Sequence, residues 1–220
     1  MSNSKKKNIT GGLYLVLNPA IDRIKLLDKL KHALNGGVEI VQIWNNWPDS
    51  FSLPDKKNLI SEILNITKEY QVPVLINEEW ELLKETDLDG VHFDDLPVNF
   101  QSIKLEINRD FITGITCSND LNVIHRGIEN DVDYISFCSM FPSGSVDSCE
   151  IVLPETVRKA RKITGLPLFV SGGITLDNLM SLKELNIDGV AVISGILNSE
   201  TPKKSARDYK QTLNRLNKTS

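Results

Sequence analysis

The chain has 220 residues, with 25 basic and 29 acidic side chains and a net charge of −4. That length fits one domain, and the slight acidic excess argues against a nucleic-acid partner, because proteins that bind nucleic acids normally present a basic face. No apolar run is long enough to cross a bilayer, and the initial MSNSKKKNIT carries lysines without the apolar segment of a signal peptide, so we expect a cytoplasmic protein without a membrane partner. The three cysteines are odd in number and lack Cys-x-x-Cys spacing, which indicates neither a disulfide framework nor a zinc knuckle.

Strand-like and helix-like segments alternate along the chain. Short apolar, β-branched runs predict strands at 13–17, 39–43, 73–76, 90–93, 111–116 and 134–138, and two more within 166–174 and 188–196. Helical periodicity predicts helices at 23–34, 56–70, 79–85, 99–105, 120–128, 154–163, 176–185 and 205–216. A helix therefore follows each predicted strand.

Strand–helix units that recur at a spacing of roughly 25 residues are the signature of a parallel (β/α)8 barrel, the TIM barrel. We predict one such domain over residues 11–218 and a frayed tail over residues 1–10. A doubly wound open sheet is the main alternative, and it fits less well because no Gly-x-Gly-x-x-Gly motif follows the first strand. In a barrel, the loops after the strands carry the function.

The turns after the last two predicted strands indicate a phosphate site. Gly172 and Gly173 let the backbone approach an anion closely, and Ser194 and Gly195 begin a short helix whose free N–H groups face the same point. In TIM barrels the loops after strands seven and eight often bind a phosphate. The alternative is that both are ordinary tight turns without a ligand. The pattern favours a phosphorylated small molecule.

Eight motifs follow one another in order between Leu13 and Ile196. They read LYLVLNP, GGVEIVQI, PVLIN, DGVHFDDLP, ITGITCS, DYISFCSMFPSGS, PLFVSGGIT and DGVAVISGI. In this order they resemble the thiamine phosphate synthase family, which also contains the thiazole tautomerases. The resemblance implies a Mg2+-dependent transferase of thiamine biosynthesis that condenses hydroxymethylpyrimidine pyrophosphate with thiazole phosphate to give thiamine phosphate and pyrophosphate. These small phosphorylated substrates would be its partners, and a homodimer is left open.

The resemblance also implies roles for individual residues. It places Gln42 and Asn77 at the pyrimidine, Thr116 near the pyrophosphate, and Ser143 and Ser145 beside the thiazole. It places the cradle for the thiazole phosphate at Gly172, Gly173, Ile193 and Ser194, and the magnesium ligands at Glu78 and Asp95. The two carboxylates have an alternative interpretation as helix N-terminal residues, where a negative charge is stabilising in any case.

Three substitutions count against the implied activity. The family has an arginine and a lysine after the strand-two glutamine and a lysine after the threonine pair, whereas this chain has Trp44, Asn46 and Val146. In a water-poor site each lost charge-assisted contact costs on the order of 2–4 kcal/mol in the transition state. Arg23, Lys25 or a lysine of the tail is a candidate replacement.

Two further interpretations therefore stay open. The chain is a non-catalytic or regulatory protein that keeps a thiazole phosphate or thiamine phosphate pocket, or it is a tautomerase-like isomerase. The isomerase would lack the family's histidine after strand five, because Ser118 stands there. Trp44 and Trp47 either stack on a ligand ring or fill the space of the missing cations. We expect His92 to be a structural residue within strand four.

Overall fold

Parallel strands close into a barrel in the computed structural model, which describes residues 7–142 and 150–218. The strands are β1 Gly12–Leu17, β2 Ile40–Ile43, β3 Val74–Asn77, β4 Gly90–Phe93, β5 Ile112–Cys117, β6 Tyr134–Phe137, β7 Leu168–Val170 and β8 Gly189–Val192. Each strand pairs with the next along the chain, and β1 pairs with β8, with Tyr14 opposite Ala191. The (β/α)8 prediction is confirmed, and the open-sheet alternative is wrong because an open sheet has no pairing between its first and last strands.

Helices connect the strands around the barrel. They are α1 Arg23–Asn35, α2 Leu53–Lys68, α3 Phe100–Ile107, α4 Asn122–Glu129, α5 Pro154–Ile163, α6 Leu176–Leu179, α7 Ser194–Leu197 and α8 Pro202–Lys218. Two 3₁₀ helices, Trp80–Lys84 and Met180–Leu185, stand where the sequence predicts a helix after β3 and the second half of a helix after β7. In the part of the chain that the structure describes, no helix is long and apolar enough to cross a membrane.

Side-chain caps decide where two of these helices begin. Ser52 and Asp55 each accept a hydrogen bond from the other's backbone N–H, so α2 starts directly after Ser52 and earlier than predicted. Thr175 and Asn178 form the same reciprocal pair at the start of α6. Asn178 Nδ2 also donates to the carbonyl of Gly173 (2.8 Å). The cap of α6 is thereby coupled to the glycine turn after β7.

Strand side chains alternate between the barrel interior and the helix layer, which gives two buried clusters. The outer cluster packs strands against helices and includes Val41 and Val91. The inner cluster consists of Ile9, Tyr14, Ile40, Leu75, Ile112, Tyr134, Phe169 and Ala191. Nearer the carboxyl ends of the strands, the buried inward residues are polar: Gln42, Asn77, His92 and Ser136. Because buried polar groups need hydrogen-bond partners, this upper layer is constrained in a way that the apolar layer is not.

The N-terminal segment is anchored at the amino-terminal end of the barrel. Lys7 pairs with Asp89 at 3.1 Å, and Ile9, which is 5% exposed, packs in the inner cluster. The predicted tail over residues 1–10 therefore differs from the structure at its C-terminal end. The physical reason is that Ile9 closes the barrel and removes an apolar side chain from water. Residues 1–6 lie outside the described residues.

Glycines on β5 and β8 make room for two aromatic rings inside the barrel. A Cβ added to Gly114 would overlap the ring of Tyr134, and one added to Gly189 would overlap the ring of Phe169. The rings of Tyr134 and Phe169 meet edge to face with their centroids 5.2 Å apart. Packing therefore fixes the position of Tyr134.

Gly114→Ala is expected to lower the free energy of unfolding by about 1–3 kcal/mol, because the methyl group forces Tyr134 out of its packed position. Denaturant unfolding measures the change. Gly165→Ala is the matched control, since no heavy atom lies within 4 Å of a Cβ added there, and it should stay within about 0.5 kcal/mol of wild type. Equal stability of the two variants would mean that Tyr134 moves freely.

Candidate active site

A cavity of about 590 Å³ opens at the carboxyl ends of the strands. Its size suits a small molecule. The structure brings together in its lining seven of the residues predicted from the sequence: Gln42, Asn77, Thr116, Gly172, Gly173, Ile193 and Ser194. Among the described residues, Glu78 and Asp95 are not part of the lining. Ser143 and Ser145 lie outside the described residues.

A continuous row of hydrogen bonds crosses the barrel next to this cavity. Tyr14 Oη donates to Gln42 Oε1 (2.6 Å) and lies 3.0 Å from Tyr134 Oη. Tyr134 Oη lies 2.9 Å from His92 Nδ1, and His92 Nε2 lies 2.9 Å from Thr116 Oγ1. These five side chains, here called the barrel network, come from five different strands. No buried side-chain nitrogen or oxygen among the described residues lacks a partner.

Burial governs protonation in the barrel network. It lowers the pKa of His92 to about 4, so the imidazole is neutral near neutral pH. Burial also raises the pKa of Tyr14 and the pKa of Tyr134 above the ordinary tyrosine value, so both phenols stay protonated. The network therefore satisfies its polar atoms without burying a charge.

An acidic corner adjoins the cavity. Asn77 Nδ2 donates to Asp94 Oδ1 and to the carbonyl of His92, both at 3.2 Å, and the Glu78 carboxylate accepts from the N–H of Asp94. Burial raises the pKa of Glu78; the Asp94 N–H opposes this shift, and the negative charges of Asp94 and Asp95 add to it. Glu78 also has φ 61°, a left-handed backbone conformation that costs energy for glutamate and is often found at functional sites.

Asp95 faces away from the cavity. Its side chain is 72% exposed and pairs with Arg126 at 3.0 Å, whereas Asp94 lines the cavity. The structure thus does not bring the predicted ligand Asp95 to the site and offers its neighbour instead. The reason is that strand alternation ends with β4, so it does not decide which residue of the following turn faces inward. No group of three His, Cys, Asp or Glu side chains suited to hold a metal occurs among residues 7–142 and 150–218.

The turn after β7 depends on its two glycines. Gly172 and Gly173 have φ of 83° and 63°, in the left-handed region. A Cβ on Gly172 would overlap Ser139 Oγ, and one on Gly173 would lie 2.5 Å from the carbonyl oxygen of Pro142. Glycine is therefore required for the loop after β6 to pack onto this turn.

The turn after β8 lies beside the glycine turn. Ser194 begins α7, and the first N–H groups of a helix have no partner within it. Tyr209 of α8 donates to the carbonyl of Ile174 (3.1 Å), and a Cβ on Gly195 would overlap the Tyr209 hydroxyl. Helix α8 thus contacts both turns at the place where the sequence predicts a phosphate.

Trp44 and Asn46 stand at two positions where the resemblance implies a cationic residue in the family. Trp44 lines the cavity. Asn46 is exposed, and its Nδ2 donates to Asn18 Oδ1 (3.0 Å). Trp47 is not in the lining, and its Nε1 donates to Glu79 Oε2 (2.7 Å). Of the two tryptophans, Trp44 is the one placed to touch a ligand.

Lysine and arginine are absent from the described lining of the cavity, and the sequence 143–149 contains none. Arg23 pairs with Glu62 at 2.6 Å, and Lys25 is also outside the lining. Lys7 is held by Asp89 near the other end of the barrel. The candidate replacements that the structure describes therefore do not reach the cavity, and Asp94 carries the formal charge of its described lining.

Tyr14, Tyr134 and His92 were not predicted as site residues. His92, expected to be structural, has its side chain inside the barrel and in the lining of the cavity. Strand alternation could have indicated this position, because His92 on β4 is the register partner of the inward-facing Asn77 on β3. No local pattern joins Tyr14 to Tyr134, which are 120 positions apart.

Known proteins identify the family of this barrel. The family model described as thiamine monophosphate synthase matches residues 13–196. The chain belongs to the thiamine monophosphate synthase family. A family relative from Clostridium tetani (strain Massachusetts / E88), named thiamine-phosphate synthase, is 31% identical over 205 residues, which cover 92% of this chain and 95% of the relative. Another of the same name from Hydrogenobaculum sp. (strain Y04AAS1) is 32% identical over 212 residues, covering 93% and 94%.

The solved structures include a similar barrel. Thiamine phosphate pyrophosphorylase from Pyrococcus furiosus matches with a TM-score of 0.78, covering 93% of this chain and 96% of that chain. At 22% sequence identity this likeness supports the fold alone. The resemblance drawn from the ordered motifs is confirmed by the family match, which spans the same residues, 13–196.

Lowering the pH from 6.5 to 4 is expected to reduce the free energy of unfolding of wild type by up to about 3 kcal/mol more than that of His92→Gln. The unfolded chain protonates His92 near pH 6.5, whereas the folded protein does so only near pH 4, so this contribution is complete above pH 6.5 and is lost as the pH falls through the window. Denaturant unfolding across this range measures the free energy of unfolding of both proteins. The titration of carboxylates is common to both and largely cancels in the difference between them. Equal pH slopes would contradict a neutral, buried His92.

Proposed function

We propose that this chain is a thiamine phosphate synthase, an enzyme that joins hydroxymethylpyrimidine pyrophosphate to thiazole phosphate and releases pyrophosphate. The observation that carries the proposal is the single cavity lining shared by Gln42, Asn77, Thr116 and the two phosphate-type turns. Membership of the family and the relatives named thiamine-phosphate synthase support it.

The reaction exchanges a carbon–oxygen bond for a carbon–nitrogen bond. Pyrophosphate leaves with the bonding electron pair, and the lone pair of the thiazole nitrogen captures the resulting pyrimidine methyl cation. Gln42 and Asn77 would orient the pyrimidine, while Gly172, Gly173 and Ser194 would hold the thiazole phosphate. Holding both reactants face to face in one cavity supplies much of the rate enhancement.

Magnesium is part of the same proposal. The carboxylates of Glu78 and Asp94 are hard oxygen ligands that suit Mg2+. Burial and the negative charges of Asp94 and Asp95 raise the pKa of Glu78, so a bound cation would stabilise its ionised form. A bound Mg2+ would neutralise charge on the leaving pyrophosphate. Because two carboxylates alone make a weak site, we expect the metal to bind together with the pyrophosphate substrate. Asp95 would have to leave Arg126 before it could join them.

A binding protein without synthase activity is the second candidate. The lack of lysine and arginine in the described lining favours it, because a leaving pyrophosphate would meet the negative charge of Asp94 without a protein cation to offset it. Such a protein would still use the phosphate turns. A tautomerase-like isomerase has less support, since Ser118 lines the cavity at the histidine position and both ring nitrogens of His92 are hydrogen-bonded.

Thiazole phosphate is expected to bind the purified protein, and Gly173→Ala is expected to weaken binding about tenfold or more, because the added Cβ strains a left-handed turn and meets the loop after β6. Isothermal titration measures both Kd values. Gly165→Ala, at an open position, should leave the Kd unchanged. A wild-type protein that does not bind thiazole phosphate would refute the proposed function, and an unchanged Kd in Gly173→Ala would place the phosphate elsewhere.

Restoring the cations is expected to raise synthase turnover. The triple variant Trp44→Arg, Asn46→Lys, Val146→Lys should increase kcat with Mg2+ by at least about tenfold, since each regained contact lowers the transition-state energy. A steady-state assay of thiamine phosphate formation measures it. A charge-matched control, Asn58→Arg, Ser61→Lys, Ser102→Lys, places the cations at exposed helix positions and should give no gain. No gain in the first variant, with both substrates bound, would favour the binding protein.

A further inference from the structure

Apart from the NH2 group of Gln42, the barrel network contains as many polar protons as it has hydrogen bonds. Four bonds join its five side chains. Tyr14, Tyr134 and Thr116 each supply one hydroxyl proton, and a neutral His92 supplies one N–H. The Oε1 atom of Gln42 accepts at one end of the row. Since each bond uses one proton, the direction of the first bond decides the direction of all the others.

All four protons therefore point toward Gln42. Tyr14 gives its proton to Gln42, so Tyr134 must donate to Tyr14. His92 must then donate from Nδ1 to Tyr134, which leaves Nε2 as the acceptor for the Thr116 hydroxyl. The row requires the neutral Nδ1–H tautomer of His92.

We propose that Tyr14, Tyr134 and His92 are positioning residues that make Gln42 a hydrogen-bond donor and Thr116 a hydrogen-bond acceptor toward a ligand in the cavity. The Gln42 oxygen is occupied by Tyr14, so its NH2 group is left for the ligand. The Thr116 proton is occupied by His92, so an oxygen lone pair is left. Both residues line the cavity, on β2 and β5, which are three strands apart in the barrel.

This polarity selects a class of ligand. A ring matches this hydrogen-bond polarity if it presents a nitrogen acceptor to Gln42 and an amino group to Thr116, whereas a carbonyl in place of the amino group sets two acceptors against each other. Aminopyrimidines have this pattern, and the identity of the ring rests on the proposed function. One expected role changes as a consequence. Thr116 contacts the ring and not the pyrophosphate, because an oxygen that has already given its proton cannot donate to a phosphate.

Packing keeps the network in this arrangement. The ring of His92 stacks on that of Tyr134, with centroids 5.6 Å apart and an interplanar angle of 19°. Phe169 meets Tyr134 from another side, and Gly114 leaves space for the Tyr134 ring and no more.

Nitrogen-15 NMR of histidine-labelled protein near pH 7 tests the direction of the row without any ligand. We expect His92 to carry its proton on Nδ1 and to have a bare Nε2. His92→Gln identifies its signals among the three histidines of the sequence. The Nε2–H tautomer, or a doubly protonated ring, would overturn the proposal. Because no substrate is present, this outcome does not depend on the proposed function.

Binding of two uncharged probes tests the effect on the ligand. Isothermal titration with 4-amino-5-hydroxymethyl-2-methylpyrimidine and its 4-oxo analogue should show a preference of about tenfold or more for the amino compound, the effect of one mismatched hydrogen bond. Tyr134→Phe removes the hydroxyl that joins His92 to Tyr14 and should reduce this preference to less than about threefold. Tyr70→Phe is the matched control, since that hydroxyl accepts from Asn35 outside the barrel, and should keep the preference.

The outcomes separate the two proposals. A preference for the oxo compound, or an unchanged preference in Tyr134→Phe, would overturn the assignment of Gln42 and Thr116. If neither pyrimidine binds wild type, the proposed function fails. The NMR measurement of the His92 tautomer then still tests the direction of the hydrogen bonds in the barrel network. Circular dichroism confirms that Tyr134→Phe is folded; if it is not, Tyr14→Phe interrupts the same row at its next member.

Discussion

The hydrogen bond between the hydroxyls of Tyr14 and Tyr134 joins β1 to β6 through the interior of the barrel. It connects two shorter groups, Gln42 with Tyr14 on one side and Tyr134 with His92 on the other. Without it, the hydroxyl proton of Tyr134 would be buried without an acceptor, which costs more than the bond itself contributes. The proposed orientation of Gln42 and Thr116 toward the cavity depends on this contact.

Charge is distributed around the cavity in an unusual way for a site expected to hold phosphates. The network next to it is neutral because burial keeps His92 unprotonated and both tyrosines protonated. The formal charge of the described lining is the carboxylate of Asp94. Backbone N–H groups at the glycine turn and at α7 are neutral donors for an anion, and without a cation they suit a monophosphate better than a pyrophosphate. A metal bound with the substrate would alter that balance.

Family membership and site chemistry are therefore separate questions in this protein. The match over residues 13–196 shows the family, whereas the roles of Gln42 and Asn77 and the missing cations at Trp44 and Asn46 belong to the proposal. Fold alone does not carry an activity, because activity depends on particular side chains placed on the fold. Glu78, next to Asp94, has a left-handed backbone conformation, and such conformations are often found at functional sites.

The sequence by itself determined whatever depends on local periodicity and on motif order. Strand–helix units at a regular spacing predicted the barrel, and the order of motifs placed Gln42 at its site. Gly172 with Gly173, and Ser194 with Gly195, predicted the turns after β7 and β8. Only the tertiary structure decided that Asp94 and not Asp95 faces the cavity, because alternation ends where the strand ends. Only it joined Tyr14 to Tyr134, since closure of the barrel brings together side chains 120 positions apart that no local pattern relates.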